Sequence, residues 1–455
     1  MKSIKKIVCS AAALVIALLS GCTESNPAVP KTVAVRLSED MQSERGYRET
    51  SLYSAENLVA YHQEDGSTVI YLYSAPLEKN AVSIKQMGET SFCSVSRYTT
   101  ATFPSVVSAE APLSFFTSGQ SVGVLPSDRE PHAGKLVDQV DAFGQKRQTV
   151  QYEDFFGEGL DCLCTPTSFG VNTELILKKK PESNTFRLRV VLPGLSPDTG
   201  SPDYILMKDA SGAGTVKAIL YTPLAVDKNG SWSYANQIRL IEKEPDSDTY
   251  TVEYTIDREF LEDPETKYPL ILHQSLYNYK AKQPDTSAYS ETGDIAGHYL
   301  SPYLLLGDAT LKGEGWTYIR YETLEELEIE ADDLVSAKYL FRNLFDLPKE
   351  ATIGAYAVTA DWCSINTRWF NRPTNDDKPI SLVSVRQRGD YELDVTTLLR
   401  EMIKNKGRDD ARYSIQNGFL IRCDTPDRAV MLASGDNGFF SPCLEIVVNT
   451  KKEGG

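Results

Sequence analysis

The sequence predicts an all-β chain organised as two to three antiparallel β-sandwich domains, and three observations lead there. Short runs alternate apolar and polar residues with a period of two. In Phe186-Arg187-Leu188-Arg189-Val190 the alternation sends Phe186, Leu188 and Val190 to a core and both arginines to water. Turn formers separate such runs, and Asp65-Gly66 between two of them is a hairpin signal. A helical period stands out at one place, where Leu398, Leu399, Met402 and Ile403 share an apolar side. Asp394 or Thr396 can cap that short helix, Lys404 and Lys406 suit its last turn, and Gly407 ends it. It is expected to lie as a lid on a sheet.

The elements follow in chain order. Lys2, Lys5 and Lys6 precede an apolar stretch from Ile7 to Leu19, which is shorter than the about 20 residues that a bilayer core of roughly 30 Å requires. Residues 1–21 are therefore expected to be a signal peptide. Its ending, Leu19-Ser20-Gly21-Cys22, resembles the bacterial lipobox, which implies a lipid-modified Cys22 and a chain tied to a membrane surface. Thr23 follows, so nothing resembles an Asp signal for retention at an inner membrane. Residues 22–30 are small, polar or Pro and read as a tether. The rest divides into a β-rich region over 31–148, a more regular sandwich-like region over 149–275, and a third domain over 276–449. That second region includes TELILKK, TFRLRVVLPGL, YTVEYTIDREFL and YPLILHQS. With 455 residues, 41% hydrophobic and 10% aromatic, the chain can fill cores of that size. Its formal charge of −16 grows more negative once the leader lysines leave, which makes nucleic acid a poor partner.

In the third domain, a strand with Val335, Ala337, Tyr339 and Phe341 on one face is followed by IGAYAV, too short and too branched for a helix. Trp362 and Trp369 then bracket a polar segment ending at Pro373, which suits a rim or an edge. Asp394-Val395-Thr396 precedes the helix, Asn417-Gly418-Phe419 opens a strand, and Ser434 and Ser441-Pro442 precede the last one. In their order these pieces resemble the DNRLRE-domain family, extracellular modules of Rhs or YD-repeat and wall-associated bacterial proteins. The resemblance implies a jelly-roll-like C-terminal domain with one short helix, and a role in surface attachment or display. The chain departs from the family pattern at Tyr321-Glu322-Thr323-Leu324 and at Cys443.

Several residue groups invite a chemical reading. Cys162 and Cys164 share a face if they lie on a strand, and the six thiols that follow Cys22 leave bridges or buried free thiols open; Cys-x-Cys alone falls short of zinc spacing. His273 and His298, with Ser275 or Ser301, lack any signature that makes a nucleophile and base of them. The run Glu325, Glu326, Glu328, Glu330, Asp332, Asp333 reads as a solvated edge and not as a glycosidase pair. Aromatic rings are the better candidates, because sugars stack C–H faces on exposed rings while amides and charged groups take the hydroxyls. Trp316, Trp362, Trp369, Trp232, Tyr299 and Tyr303 are the available rings. Arg368, Asn371 and Arg372 stand beside Trp369, giving Trp369, Arg368, Asn371, Arg372 and Trp362 as the ligand-binding candidates. Asp436-Asn437-Gly438 and Asn375-Asp376-Asp377 offer oxygen-rich loops for Ca²⁺, with Asp436 and Asn437 the candidate ligands.

The expectation is an outward-facing, lipid-anchored surface protein that binds without catalysis. Polysaccharide is the first ligand class; a structural or protein-docking module of the envelope is the alternative, and a polysaccharide hydrolase is the third reading.

Overall fold

Alternation at period two requires one face to be buried, and the chain satisfies it by folding sheets against each other. The computed structural model describes Thr32 and residues 39–449 apart from 78–81, 97, 118, 129, 144–145, 202, 213, 279–284, 291–300, 311 and 409–410. The leader, Cys22 and the tether fall outside the described residues, as do His298 and Tyr299. Three antiparallel sheets carry nearly all the regular structure. Among the described residues no helix is long and apolar enough to cross a membrane.

Two of the sheets form one sandwich from Lys85–Met87 to Leu270–Asn278. Thr185–Val191 lies between Gln120–Leu125 and Thr249–Thr255. Phe186, Leu188 and Val190 point inward as the alternation requires, meeting Val150, Tyr152, Leu175 and Leu272 of the facing sheet. Burying side chains of this size contributes roughly 1.5–3 kcal/mol each. Arg187 stands outward and shares Glu253 with Arg239, the three lying side by side on neighbouring strands. Arg189 departs from the expectation. It is on the outer face but covered, because Glu244 closes over its guanidinium at 2.7 and 3.2 Å. Residues Arg258–Glu262, expected to continue a strand, turn into a short helix because Asp257 accepts from the amides of Glu259 and Phe260.

The third sheet bends over to make both layers of a second sandwich. Its corner is Tyr303–Thr310, whose first half pairs with Val430–Ala433 and whose second half pairs with Gly313–Ile319. Gly307, at φ +103°, makes the bend, and a Cβ there would lie 2.0 Å from the Arg428 carbonyl oxygen. One layer presents Ala337, Tyr339, Phe341, Leu432, Leu444 and Ile446 to the core, and the other presents Ile319, Ile353, Ala355, Val385, Phe419 and Ile421. Val335, expected beside Ala337, is exposed instead, since a bulge between Leu334 and Ser336 shifts the register by one residue. The helix Thr396–Lys404 covers one end of this core with Leu398, Leu399 and Met402.

The expected domain boundaries are corrected. Residues 148 and 149 lie inside the strand Lys146–Tyr152, and residues 275 and 276 inside Leu270–Asn278. The first hairpins leave the N-terminal region altogether: Ser67–Tyr73 pairs along its length with Cys443–Asn449. The described residues therefore form two sandwiches. The second begins with Arg48–Tyr73, is interrupted by the whole of the first, and resumes at Asp285.

A shared aromatic core joins them. Phe143, fully buried, packs on His273 of its own sandwich and on Tyr303, Phe345, Phe439 and Phe440 of the other. Arg147 lays its guanidinium 3.6 Å from the Phe439 ring centre. Lys312 reaches from the second sandwich to Asp203 of the first at 2.6 Å. Phe143→Ala should remove about 3–5 kcal/mol and separate a single unfolding transition into two, as measured by denaturant titration of residues 23–455. A loss under about 1 kcal/mol with one unchanged transition would mean that the sandwiches do not depend on this seam.

Candidate functional site

The outer face of the second sandwich carries a small apolar cluster of its own, Ala288, Tyr318, Tyr356, Val358, Trp362 and Leu420, with Trp316 and Trp369 half-buried against it. Strand register lines up Leu382, Gly354, Arg422, Trp316 and Ala288 across five neighbouring strands. The next row inward holds Tyr356, Leu420, Tyr318 and Thr286. Alternation produces this: Phe419 and Ile421 enter the core, so Leu420 and Arg422 must point the other way.

Rings and guanidinium groups interleave along the face. Arg422 lies 4.1 Å from the Tyr356 ring centre and 5.2 Å from Trp316; Arg372 lies 4.8 Å from Trp316 and 4.1 Å from Trp369. Trp316 and Trp369 meet edge to face at 5.3 Å. Each cation–ring contact contributes about 0.5–2 kcal/mol, more as water is removed. Hydrogen bonds lock the order. Arg422 Nε donates to Asp424 at 2.9 Å, and the Tyr356 hydroxyl donates to the other Asp424 oxygen. Burial, and then that bond to Asp424, hold the Tyr356 phenol above its ordinary value of 10.0, so it stays a donor. The Trp316 indole N–H donates to Glu314 at 2.7 Å. Gly354 leaves the space these groups share, since a Cβ there would fall 2.8 Å from both Asp424 Oδ2 and the Tyr356 ring.

The polar loop predicted as a rim lies over the inner row. A bridge between Val358 and Asn375 ties its ends. Trp362, expected to contact ligand, is buried instead. Its indole N–H donates to the Asn417 carbonyl at 2.8 Å, it packs on Tyr318, and Arg320 lies 4.9 Å from its ring while donating to its carbonyl. Asn371 is also structural. Its oxygen accepts from the Arg368 amide at 2.7 Å and its nitrogen donates to Asn366 at 3.1 Å, closing the turn Trp369–Asn371. Trp369, Arg368 and Arg372 are half-buried at the rim, and Phe370 beside them is 64% exposed. Leu382 on the same face is also exposed. Sequence reasoning missed Tyr356, Arg422, Asp424, Phe370 and Leu382. Arg422 and Asp424 carried a signal, being polar at the positions that alternate with Phe419 and Ile421.

The other candidates take structural roles. His273 is sealed at the seam, its Nδ1 2.8 Å from Glu174, whose same oxygen accepts from the Ala142 amide. Ser275 is buried and the Ser301 hydroxyl donates to the Tyr303 carbonyl. In the acidic run, Leu327, Ile329 and Ala331 face the core while Glu326, Glu328, Glu330 and Asp332 face water. Trp232 stacks on Phe345 at the seam and Tyr303 is buried there. Asp436 and Asn437 are also buried at the seam, with the Asn437 oxygen accepting from the amides of Phe439 and Phe440, both at 3.0 Å, so it shapes the turn. Asp376 is held by Arg412 and by the Tyr413 hydroxyl. Among the described residues no three His, Cys, Asp or Glu side chains converge as a metal site needs. Cys162 and Cys164 do share a strand face, their sulfurs 3.7 Å apart as free thiols, and burial pushes the Cys164 thiol well above its ordinary value.

No family model matches the chain, and no curated protein matches it. Among solved structures it is similar to an exo-beta-1,3-galactanase from Phanerochaete chrysosporium with bound beta-1,3-galactotriose, at 11% identity over 86% of this chain and 82% of that one, with a TM-score of 0.12. It is also similar to the N-terminal tandem CBM22 domains of Paenibacillus barcinonensis Xyn10C, at 11% identity over 82% of this chain and 98% of that one, with a TM-score of 0.14. The fold assignment rests on the sheets themselves.

The two tryptophans of the loop should separate by experiment. Trp362→Ala should lower unfolding free energy by about 3–5 kcal/mol, and Trp369→Ala by less than half as much, by denaturant titration. Equal losses would make Trp369 a core residue as well.

Proposed function

We propose that this chain is a non-catalytic binding protein of the bacterial cell surface, whose ligand is a polysaccharide held on the outer face of the second sandwich. One observation carries the reading: Trp369, Phe370, Trp316 and Leu382 stand at one surface with Arg368, Arg372, Arg422 and Asp424 among them. Stacking surfaces interspersed with hydrogen-bonding groups are what a sugar chain needs, since each ring offers an apolar face and a polar rim. What the face offers to solvent is its rim, with Phe370 and Leu382 exposed and Trp369, Trp316, Arg368 and Arg372 half-buried beside them. Its carboxylates already serve as acceptors for Arg422, Tyr356 and the Trp316 indole, a binding arrangement and not one poised for proton transfer.

The lipobox-like Cys22 supplies the anchor in this reading. Thr32 is fixed at the seam, its carbonyl accepting from the Ser441 amide at 2.6 Å and its hydroxyl donating to Asp390 at 3.0 Å. A tether from Cys22 to that point reaches at most about 35 Å, so the body would ride close to the lipid. The resemblance to DNRLRE modules fits the same surface role.

The test is a polysaccharide array probed with residues 23–455, with and without Ca²⁺. Binding to at least one polymer is expected, weakened at least about tenfold, or roughly 1.4 kcal/mol, by Trp369→Ala at unchanged fold. No binding to any polymer would sink the reading. Binding indifferent to Trp369→Ala would remove it from this face.

A further inference from the structure

The cations of the face are not equally committed. Arg422 is paired with Asp424 at 2.9 Å, and Arg320 with Glu322 at 3.0 Å and Asp361 at 3.6 Å. Arg372 and Arg368 have no carboxylate partner among the described residues. Arg372 Nη1 donates only to the Trp369 carbonyl, at 2.6 Å, and its guanidinium spans the two indoles. Arg368 Nε, shielded from water, has no hydrogen-bond partner, and its guanidinium lies 5.9 Å from the ring of the exposed Phe370. In a chain with 63 acidic and 47 basic residues, two guanidinium groups without a carboxylate beside exposed rings need a reason.

We propose that the polysaccharide recognised here is acidic, a uronate-bearing chain whose sugar rings stack on Trp369 and Phe370 and whose carboxylates pair with Arg368 and Arg372. This inference rests on the carbohydrate reading and adds the charge of the ligand to it. Guanidinium presents its N–H groups as a planar fork that matches a carboxylate in two-point contact. A neutral glycan needs hydroxyl partners of mixed type and gives a bare guanidinium no counter-charge. The negative charge of the whole chain does not forbid this. At physiological ionic strength fields fade over about 8 Å, so the pair in contact decides, and distant acids lower the rate of encounter more than the affinity.

The experiment measures binding of residues 23–455 to polygalacturonate and to the same polymer after reduction of its carboxyl groups, by calorimetry at low salt and at 0.5 M NaCl (roughly a Debye length of 4 Å). The acidic polymer is expected to bind at least about tenfold tighter at low salt, a margin that shrinks at high salt. Arg368→Gln should cut that margin by at least about threefold, weakening the acidic polymer more than the reduced one, and Arg368→Lys should restore part of it. Arg368→Gln touches only the rim, so its fold is checked by circular dichroism alone. Equal binding of the two polymers overturns the acidic ligand and leaves the carbohydrate reading standing. Binding of neither overturns the acidic ligand and leaves the carbohydrate reading to the array, and binding of phosphatidylglycerol vesicles in their place overturns both.

Discussion

The structure depends on the pairing of Ser67–Tyr73 with Cys443–Asn449, which joins the beginning of the described chain to its end. Seven residue pairs form this ladder, and Cys443–Asn449 in turn pairs with Leu334–Asn343, so the early hairpins are built into the C-terminal sandwich. Everything from Lys85 to Asn278 is then a sandwich inserted into another sandwich. Closing so long a loop costs little more than closing a short one, since the entropy grows only with the logarithm of length. The requirement is that the ends of the insert lie close together. They do: Ala75, just past the early hairpins, sits in one apolar cluster with Phe169, Tyr221 and Tyr277, and Tyr277 receives the Gly438 amide on its hydroxyl.

That topology decides which surface is free to bind. The layer containing Ser67–Tyr73 is covered on its outer side near the seam, where Phe439, Phe440 and Met431 meet the inserted sandwich. The opposite layer, with Trp316, Tyr356 and Arg422, reaches the seam core at Tyr289, while its outward rings belong to a separate cluster. Among the described residues its outer face is covered by its own loop, which buries Trp362 and leaves Trp369 half-buried. A sheet face without a second layer over it normally turns polar, and this one keeps rings, interleaved with arginines that hold them in place.

Much of the fold was legible because alternation is a local property. The inward set Phe186, Leu188, Val190, the strand Ala351–Ala357 and the helix Thr396–Lys404 all follow from it. Val335 failed because one bulge reverses the faces without leaving a mark in the sequence, and Arg189 because the turn after Gln237–Lys243, two strands away, supplied Glu244 to cover it. The end of the insert lies within a few residues of the boundary expected at 276, but its start was invisible: no linker marks Ala75, and strands that pair across the whole chain look like any others. At the candidate site, Trp369, Arg368 and Arg372 were picked out from their place beside a proline-ended loop, and they lie half-buried at its rim. Trp362 and Asn371 shared that loop and were spent on holding it, a distinction that depends on Asn417 and Asn366. Tyr356 and Asp424 come together only through register.

The central claim is that the exposed face of the second sandwich, around Trp316 and Trp369, is where ligand sits. Tryptophan-selective ¹⁵N labelling gives one indole N–H signal for each of the four tryptophans, and titration with a polysaccharide that binds reads them all at once. The account predicts that the signals of Trp316 and Trp369 move while those of Trp232, at the seam, and Trp362, bonded to Asn417, stay fixed. Movement at Trp232 with Trp316 and Trp369 unchanged would contradict it.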